Sequence, residues 1–286
     1  MCHAARVPGS NLRSLTELPP IERRSPIAGG GAPDGDWLAT APDEVHLWYA
    51  FEHDAREPAL VAAYDARQTD DERARQARFV RAEDRALHRL TRALQRTVLS
   101  RYAPVPPRAW QFVRDAYDKP AVSGPPGVAW PRFNLSHSGG LVACAVTTGG
   151  APIGVDVELA SRSIDLEQLA DRFFAPREAA ALRALPQAER LARFFAYWTL
   201  KEAYIKACGQ GLSIPLDQFA FQLEHGGITV AFDPRLADDP AAWQFGLYRA
   251  SDDHHAAVAA RIGRARNLVV KATRCTPLRD ALAITH

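Results

Sequence analysis

The sequence predicts an α+β protein built of two similar α/β halves related by a pseudo-twofold axis, with a site expected in the groove between them. Two observations carry the prediction. A strand, a helical segment and further strands precede the turn Thr147-Thr148-Gly149-Gly150-Ala151-Pro152, and a strand, helices and further strands follow it. The plan repeats although the sequence does not, and ligands commonly bind where two such halves meet. At 286 residues, 47% hydrophobic and 24% charged, the chain has enough apolar content for one large domain or two small ones.

Residues 1–42 are rich in Pro, Gly, Ser and Arg without periodicity, and read as a flexible N-terminal tail. Residues 43–150 make the N-terminal half. Within it, residues 45–50 alternate as a first strand, and residues 70–102 are helical and basic, with apolar positions at Phe79, Leu87, Leu90, Leu94 and Val98 and an interruption expected at 82–84. Eight arginines from Arg73 to Arg96 crowd this segment. A solvated helix face accounts for most of them, and an anionic ligand would need some. Residues 110–113 alternate as a strand leading into a turn at 116–120, the stretch 132–140 reads as a Ser/Gly-rich loop around His137, and residues 141–146 form a buried strand.

Residues 151–264 make the C-terminal half. Ile153-Gly154-Val155-Asp156-Val157-Glu158-Leu159 alternates apolar and acidic residues, so a strand here presents Asp156 and Glu158 on one face. Two neighbouring carboxylates repel unless a cation or a proton intervenes, and oxygen-only ligands suit a hard divalent ion. Taken alone, the pair is a weak signal, and its bland reading is a solvated strand face at an edge. Residues 164–185 carry apolar positions at helical spacing, broken by Pro176. A helix from Pro186 to a stop at Gly209 follows, carrying Leu191, Phe194, Phe195 and Trp198 on its packed face. Its last turns place Glu202 and Lys206 together, with Lys201 beside them; by itself that spacing is a helix ion pair. Strands are expected near 219–223, 227–232, 244–248 and 255–260, and residues 265–286 read as a loosely ordered C-terminal tail.

Composition bounds the function. A formal net charge of +2 argues against a nucleic-acid binder. No apolar run reaches membrane-spanning length and the N-terminus lacks the apolar core of a signal peptide, so a cytoplasmic protein is expected. The four cysteines are scattered, which indicates neither a zinc site nor a disulfide framework.

Gly154-Val155-Asp156-Val157-Glu158 and Trp198-Thr199-Leu200-Lys201-Glu202-Ala203-Tyr204-Ile205-Lys206, with Asn134-Leu135-Ser136-His137, the run from Arg172 to Glu178 and that from Gly209 to Asp217, resemble the 4′-phosphopantetheinyl transferases of the surfactin-synthetase-activating type. The resemblance implies an active site in the groove between the halves. There the 4′-phosphopantetheine arm of coenzyme A passes to a serine of an apo acyl or peptidyl carrier protein, in a Mg2+-dependent (Mn2+ possible) reaction releasing 3′,5′-adenosine bisphosphate. It makes Asp156, Glu158 and Glu202 the metal ligands, Glu202 and Lys206 the catalytic pair, and Arg75, Lys119, Ser136, His137 and Lys206 the coenzyme A contacts. Lys201 is a supporting candidate, as are Arg78 and Arg92. It further implies a surface for an acidic carrier helix within residues 164–185, and a monomer suffices because both halves lie in one chain. Asp118 stands where the family's Tyr-Gly-Lys-Pro turn has glycine. Two other readings remain at this stage: a Mg2+-dependent hydrolase of coenzyme A or a related pyrophosphate, and a coenzyme A binding protein without activity.

Overall fold

The computed structural model describes residues 37–279, apart from 128–129, 161–163 and 225–226. Most of the expected N-terminal tail, and the chain beyond 279, lie outside the described residues. Two compact units are present: the segment ending at Gly150 joins the chain from Val270 onward in one, and Ala151–Val269 makes the other.

In the first unit, strands β1 (Glu44–Phe51), β4 (Arg132–Ser138), β5 (Leu141–Thr147) and β11 (Val269–Arg274) form a sheet in the order β11-β1-β5-β4. β5 is buried along its whole length, which its uninterrupted apolar run requires of a central strand. Helices α1 (Pro58–Arg67), α2 (Asp70–Ala77) and α3 (Ala82–Leu99) accompany it. Leu90, Leu94 and Val98 of α3 join Val142, Cys144 and Val146 of β5 in one apolar core. A capping box starts α2: the Thr69 hydroxyl accepts from Glu72 N at 3.3 Å, and Thr69 N donates to the Glu72 carboxylate at 3.0 Å. The interruption falls at 78–81, just before the expected position. Arg85 fixes it there by donating to the carbonyls of Phe79 (2.8 Å) and Val80 (2.9 Å).

β2 (Gln111–Arg114) and β3 (Pro120–Gly124) form a separate hairpin. Its turn holds Asp118 at φ 66°, the left-handed conformation for which glycine is the easiest residue. Asp115 secures the turn by accepting from the amides of Tyr117 and Lys119, each at 2.9 Å.

Three expectations shift. Residues 132–138 are a strand, because the Ser- and Gly-rich composition that reads as a loop hides a full antiparallel register with β5. Order begins ahead of residue 43: Leu38 is buried and donates its N–H to the Arg101 carbonyl at 2.8 Å. The chain after 264, expected to be loose, contributes β11, which Lys271 ties to Glu44 (2.7 Å) and Arg274 to Asp54 (2.6 Å). Pairing partners some 220 residues away leave no local pattern to read.

In the second unit, β6 (Ile153–Leu159), β9 (Gln244–Ser251) and β10 (His254–Ala260) form an antiparallel sheet in the order β6-β10-β9. β7 (Phe219–Glu224) pairs with β8 (Gly227–Phe232), and α4 (Leu166–Phe173), α5 (Pro176–Ala184) and α6 (Gln187–Cys208) complete the unit. Pro186 is the residue just before α6, and Gly209 ends the helix at φ 75°, as its position predicts. Phe194, Phe195, Leu200, Ala203 and Ala207 of α6 share a core with Phe245, Leu247, Ala257 and Ala259 of the sheet.

Candidate active site

Gly154 sets how close α6 lies to β6. A Cβ at this position would fall inside contact distance of the Ala203 carbonyl oxygen and the Ala207 amide nitrogen, so only glycine lets the helix backbone rest on the strand. Because side chains alternate along a strand, Asp156 and Glu158 share the face on which Gly154 meets the helix. The acidic face is therefore covered by α6 rather than being a solvated edge. Lys206 donates to Asp156 Oδ1 at 2.6 Å, with the Asp156 side chain nearly buried.

Glu202 lies on the same part of the helix. Burial first, then the charges of Asp156 and Glu158, push its carboxyl up to about 7 against the opposing pull of Lys206. Asp156, Glu158 and Lys206 thus all act electrostatically on the half-buried Glu202 carboxyl.

The donor chemistry fits a hard divalent cation. All three acidic groups supply oxygen alone, and a cation would relieve the repulsion that raises Glu202. Among the described residues, no three Asp, Glu, His or Cys side chains are already grouped as they stand to hold an ion.

Lys201, one residue away, has a different destination. Its ammonium is fully buried and gives its three protons to the Glu178 carboxylate (2.8 Å) and the carbonyls of Leu216 (2.7 Å) and Phe219 (2.6 Å). Glu178 in turn accepts from Phe221 N at 2.8 Å and Ala175 N at 3.0 Å. Burial pushes Glu178 up and Lys201 down, and each partner opposes the shift of the other. Lys201 is a structural tie between α5, α6 and β7, not a supporting member of the site. Nothing in the local sequence reveals this, because Glu178 reads only as part of the segment around Pro176.

In the first unit the crowded arginines separate by what they touch. Arg96 is buried, pairs with Glu72 at 3.0 Å and donates to the carbonyls of Pro107 and Trp110; Arg89 pairs with Asp65 at 2.7 Å. These are structural. Arg75 and Arg78 are exposed and carry no ion pair among the described residues. Arg92 gives one hydrogen bond to Gln95 at 2.8 Å, while its Nε is buried without a partner. Burial, with Arg114, Arg75 and Arg96 nearby, holds its guanidinium down to about 10 despite Glu72.

His88, one turn before Arg92, is held down to about 4, by burial first and then by Arg92, Arg75 and His137. Arg75, Arg92 and His137 thus all act on His88, a residue the sequence pattern does not single out. Its spacing of four from Arg92 was the available signal. Lys119 stands at the end of the hairpin whose Arg114 acts on Arg92. Ser136 neighbours His137 on β4, so the two side chains point to opposite faces of the sheet, Ser136 buried and His137 exposed.

The fold is α+β, and comparison with known proteins gives it a family. Residues 152–259 match the 4′-phosphopantetheinyl transferase superfamily and residues 54–149 the N-terminal part of a 4′-phosphopantetheinyl transferase. The chain is 39% identical over 183 residues to 4′-phosphopantetheinyl transferase HetI of Nostoc sp., covering 62% of this chain and 76% of that protein. It is 37% identical over 150 residues to 4′-phosphopantetheinyl transferase Sfp of Bacillus subtilis, covering 52% and 64%. A phosphopantetheinyl transferase of Thraustochytrium sp. is 32% identical over 219 residues, covering 72% and 73%. The chain belongs to the 4′-phosphopantetheinyl transferase superfamily. Among solved structures, holo-[acyl-carrier-protein] synthase of Thermotoga maritima aligns over 38% of this chain and 61% of its own with a TM-score of 0.32 and 21% identity, too slight a likeness to argue from.

Proposed function

We propose that this member of the superfamily transfers the 4′-phosphopantetheine group of coenzyme A to a serine hydroxyl of an apo acyl or peptidyl carrier protein, releasing 3′,5′-adenosine bisphosphate. The observation that carries the reading is the meeting of Asp156, Glu158, Glu202 and Lys206 where α6 lies against β6. The nucleophile comes from the partner, so the protein's own residues have to orient the diphosphate, balance its charge and accept one proton.

Asp156, Glu158 and Glu202 are the residues to hold Mg2+, or Mn2+, which would supply charge neutralisation at the diphosphate. Glu202 accepts the serine proton, directly or through a water. Lys206, which bonds Asp156 in this structure, gives its positive charge to the phosphoryl oxygens as the bond breaks. Arg75, Lys119 and His137 hold the phosphates of coenzyme A, with Arg78 and Arg92 in support. Ser136 is the remaining coenzyme A contact of the set. Residues 164–185, with Arg172, Arg177 and Arg183, offer the basic surface for an acidic carrier helix.

No described helix is long and apolar enough to cross a membrane. We further place the protein in the cytoplasm, acting as a monomer without nucleic acid.

Intact-mass analysis of an apo carrier protein incubated with coenzyme A, Mg2+ and this protein tests the function. The carrier gains one phosphopantetheine, and the gain disappears when the metal is removed. Cleavage of coenzyme A without any modified carrier, across several carrier types, would replace the reading with that of a hydrolase.

A further inference from the structure

Beside the carboxylates lies a row of side chains to which no role has been given. Across the three-stranded sheet, Glu158 of β6 stands opposite His255 of β10, and His255 stands opposite Arg249 of β9. Directly paired residues in an antiparallel sheet project to the same side, so all three share the face that Gly154, Ala257 and Ala259 turn toward α6. A carboxylate, an imidazole and a guanidinium thus sit side by side.

His255 is only 6% exposed, and its Nδ1 is buried without a hydrogen-bond partner. The described residues provide no hydrogen bond or ion pair to the Arg249 guanidinium either, although it lies close enough to act electrostatically on the His255 ring. A buried ring nitrogen without a partner costs stability, and each one in a folded protein calls for an explanation, of which a bound ligand is one. The flanking residues give no packing reason for it: the sheet positions next along this face, Ala257 and Leu247, are apolar and join the core. An N–H donor beside a cation is the pairing that recognises a phosphoryl oxygen.

We infer that His255 and Arg249 form an anion subsite next to Asp156 and Glu158 that takes a phosphoryl oxygen of the coenzyme A diphosphate. The inference rests on the transferase reading for its substrate. It gives the diphosphate two donors on the β10 and β9 side of the carboxylates, in addition to Lys206 of α6. Neither residue belongs to the motifs that mark the family in this sequence, since β10 reads locally as a plain core strand.

Calorimetric titration of the full-length protein in Mg2+ buffer tests the subsite with two ligands: coenzyme A, and adenosine 3′-monophosphate, which lacks the diphosphate. His255→Leu and Arg249→Ala are each expected to bind coenzyme A roughly tenfold more weakly, while adenosine 3′-monophosphate binds as to the wild type. Arg249→Lys keeps the charge and retains most of the affinity. His255→Leu also removes the unsatisfied imidazole, so it melts at the same temperature or a few degrees higher. Loss of affinity alongside retained or raised stability is an outcome that a purely structural histidine does not produce.

Unchanged coenzyme A affinity in both variants, or equal losses for both ligands, overturns the inference. So does a wild-type protein that fails to bind coenzyme A. A wild type that binds coenzyme A yet modifies no carrier removes the transferase reading alone and leaves the subsite to be judged by the variants.

Discussion

Lys201 and Glu202 are consecutive on α6 and end in opposite circumstances. The Lys201 ammonium has a partner for each of its three protons and is fully enclosed. Glu202 is half-buried, faces two like charges and holds its proton up to about 7. The difference teaches how to read charges in this unit. A buried charge whose valences are all met ties elements together, whereas a charge left in conflict awaits something the chain does not contain.

Breaking the unsatisfied side gives the largest effect. Asp156→Asn removes one candidate metal oxygen and the partner of Lys206, and transfer to a carrier falls about a thousandfold, the loss of several kcal/mol of charge stabilisation. A steady-state assay over a Mg2+ series shows it, and the unfolding midpoint changes little.

Breaking the satisfied side gives the converse. Lys201→Met leaves Glu178 buried and uncompensated, and denaturant unfolding is expected to show a loss of about 3–5 kcal/mol. Replacing both partners, as Glu178→Leu with Lys201→Met, restores part of that loss, which separates the cost of an orphaned charge from the worth of the pair.

Gly154→Ala acts on the spacing that brings the carboxylates to the helix. The added methyl must displace α6 backbone, so stability falls by about 1–3 kcal/mol and transfer falls with it. Unlike the two preceding changes, it moves both readouts.

The smallest effect sharpens the comparison through pH. The Glu202 carboxyl is raised in the folded state, so the folded protein binds the proton more tightly than the unfolded chain does. Its stabilising contribution is fully present below the unfolded value near 4.5 and is lost as pH rises to about 7. Without divalent metal, Glu202→Gln is therefore more stable than the wild type at pH 8, by about 1–2 kcal/mol after allowance for partial solvent exposure, and equal to it at pH 4. Urea unfolding at the two pH values measures the difference.

What the sequence makes legible follows the range of the interactions. The alternation in β6 and the periodicity of α6 are local, so spacing alone sets Asp156 with Glu158 and Glu202 with Lys206 and finds the strands from β7 to β10, while the role of the four residues comes from the family resemblance. The identity of Lys201 as a tie depends on Glu178, twenty-three positions earlier on another helix, and no pattern near either residue shows it. β4 hides in Ser/Gly composition although its register with β5 is complete. β11 hides because its partner is at the other end of the chain. His255 and Arg249 sit in strands that look like ordinary core, and only the cross-strand register sets them beside Glu158.

The account stands most directly on Glu202→Gln, measured for turnover and stability in the same preparation. Phosphopantetheine transfer to an apo carrier is expected to fall by about 10²–10⁴-fold while the metal-free protein becomes harder to unfold at pH 8. A variant that retains wild-type turnover, or that loses turnover only because it no longer folds, would contradict the claim that the unsatisfied side of α6 is the catalytic one.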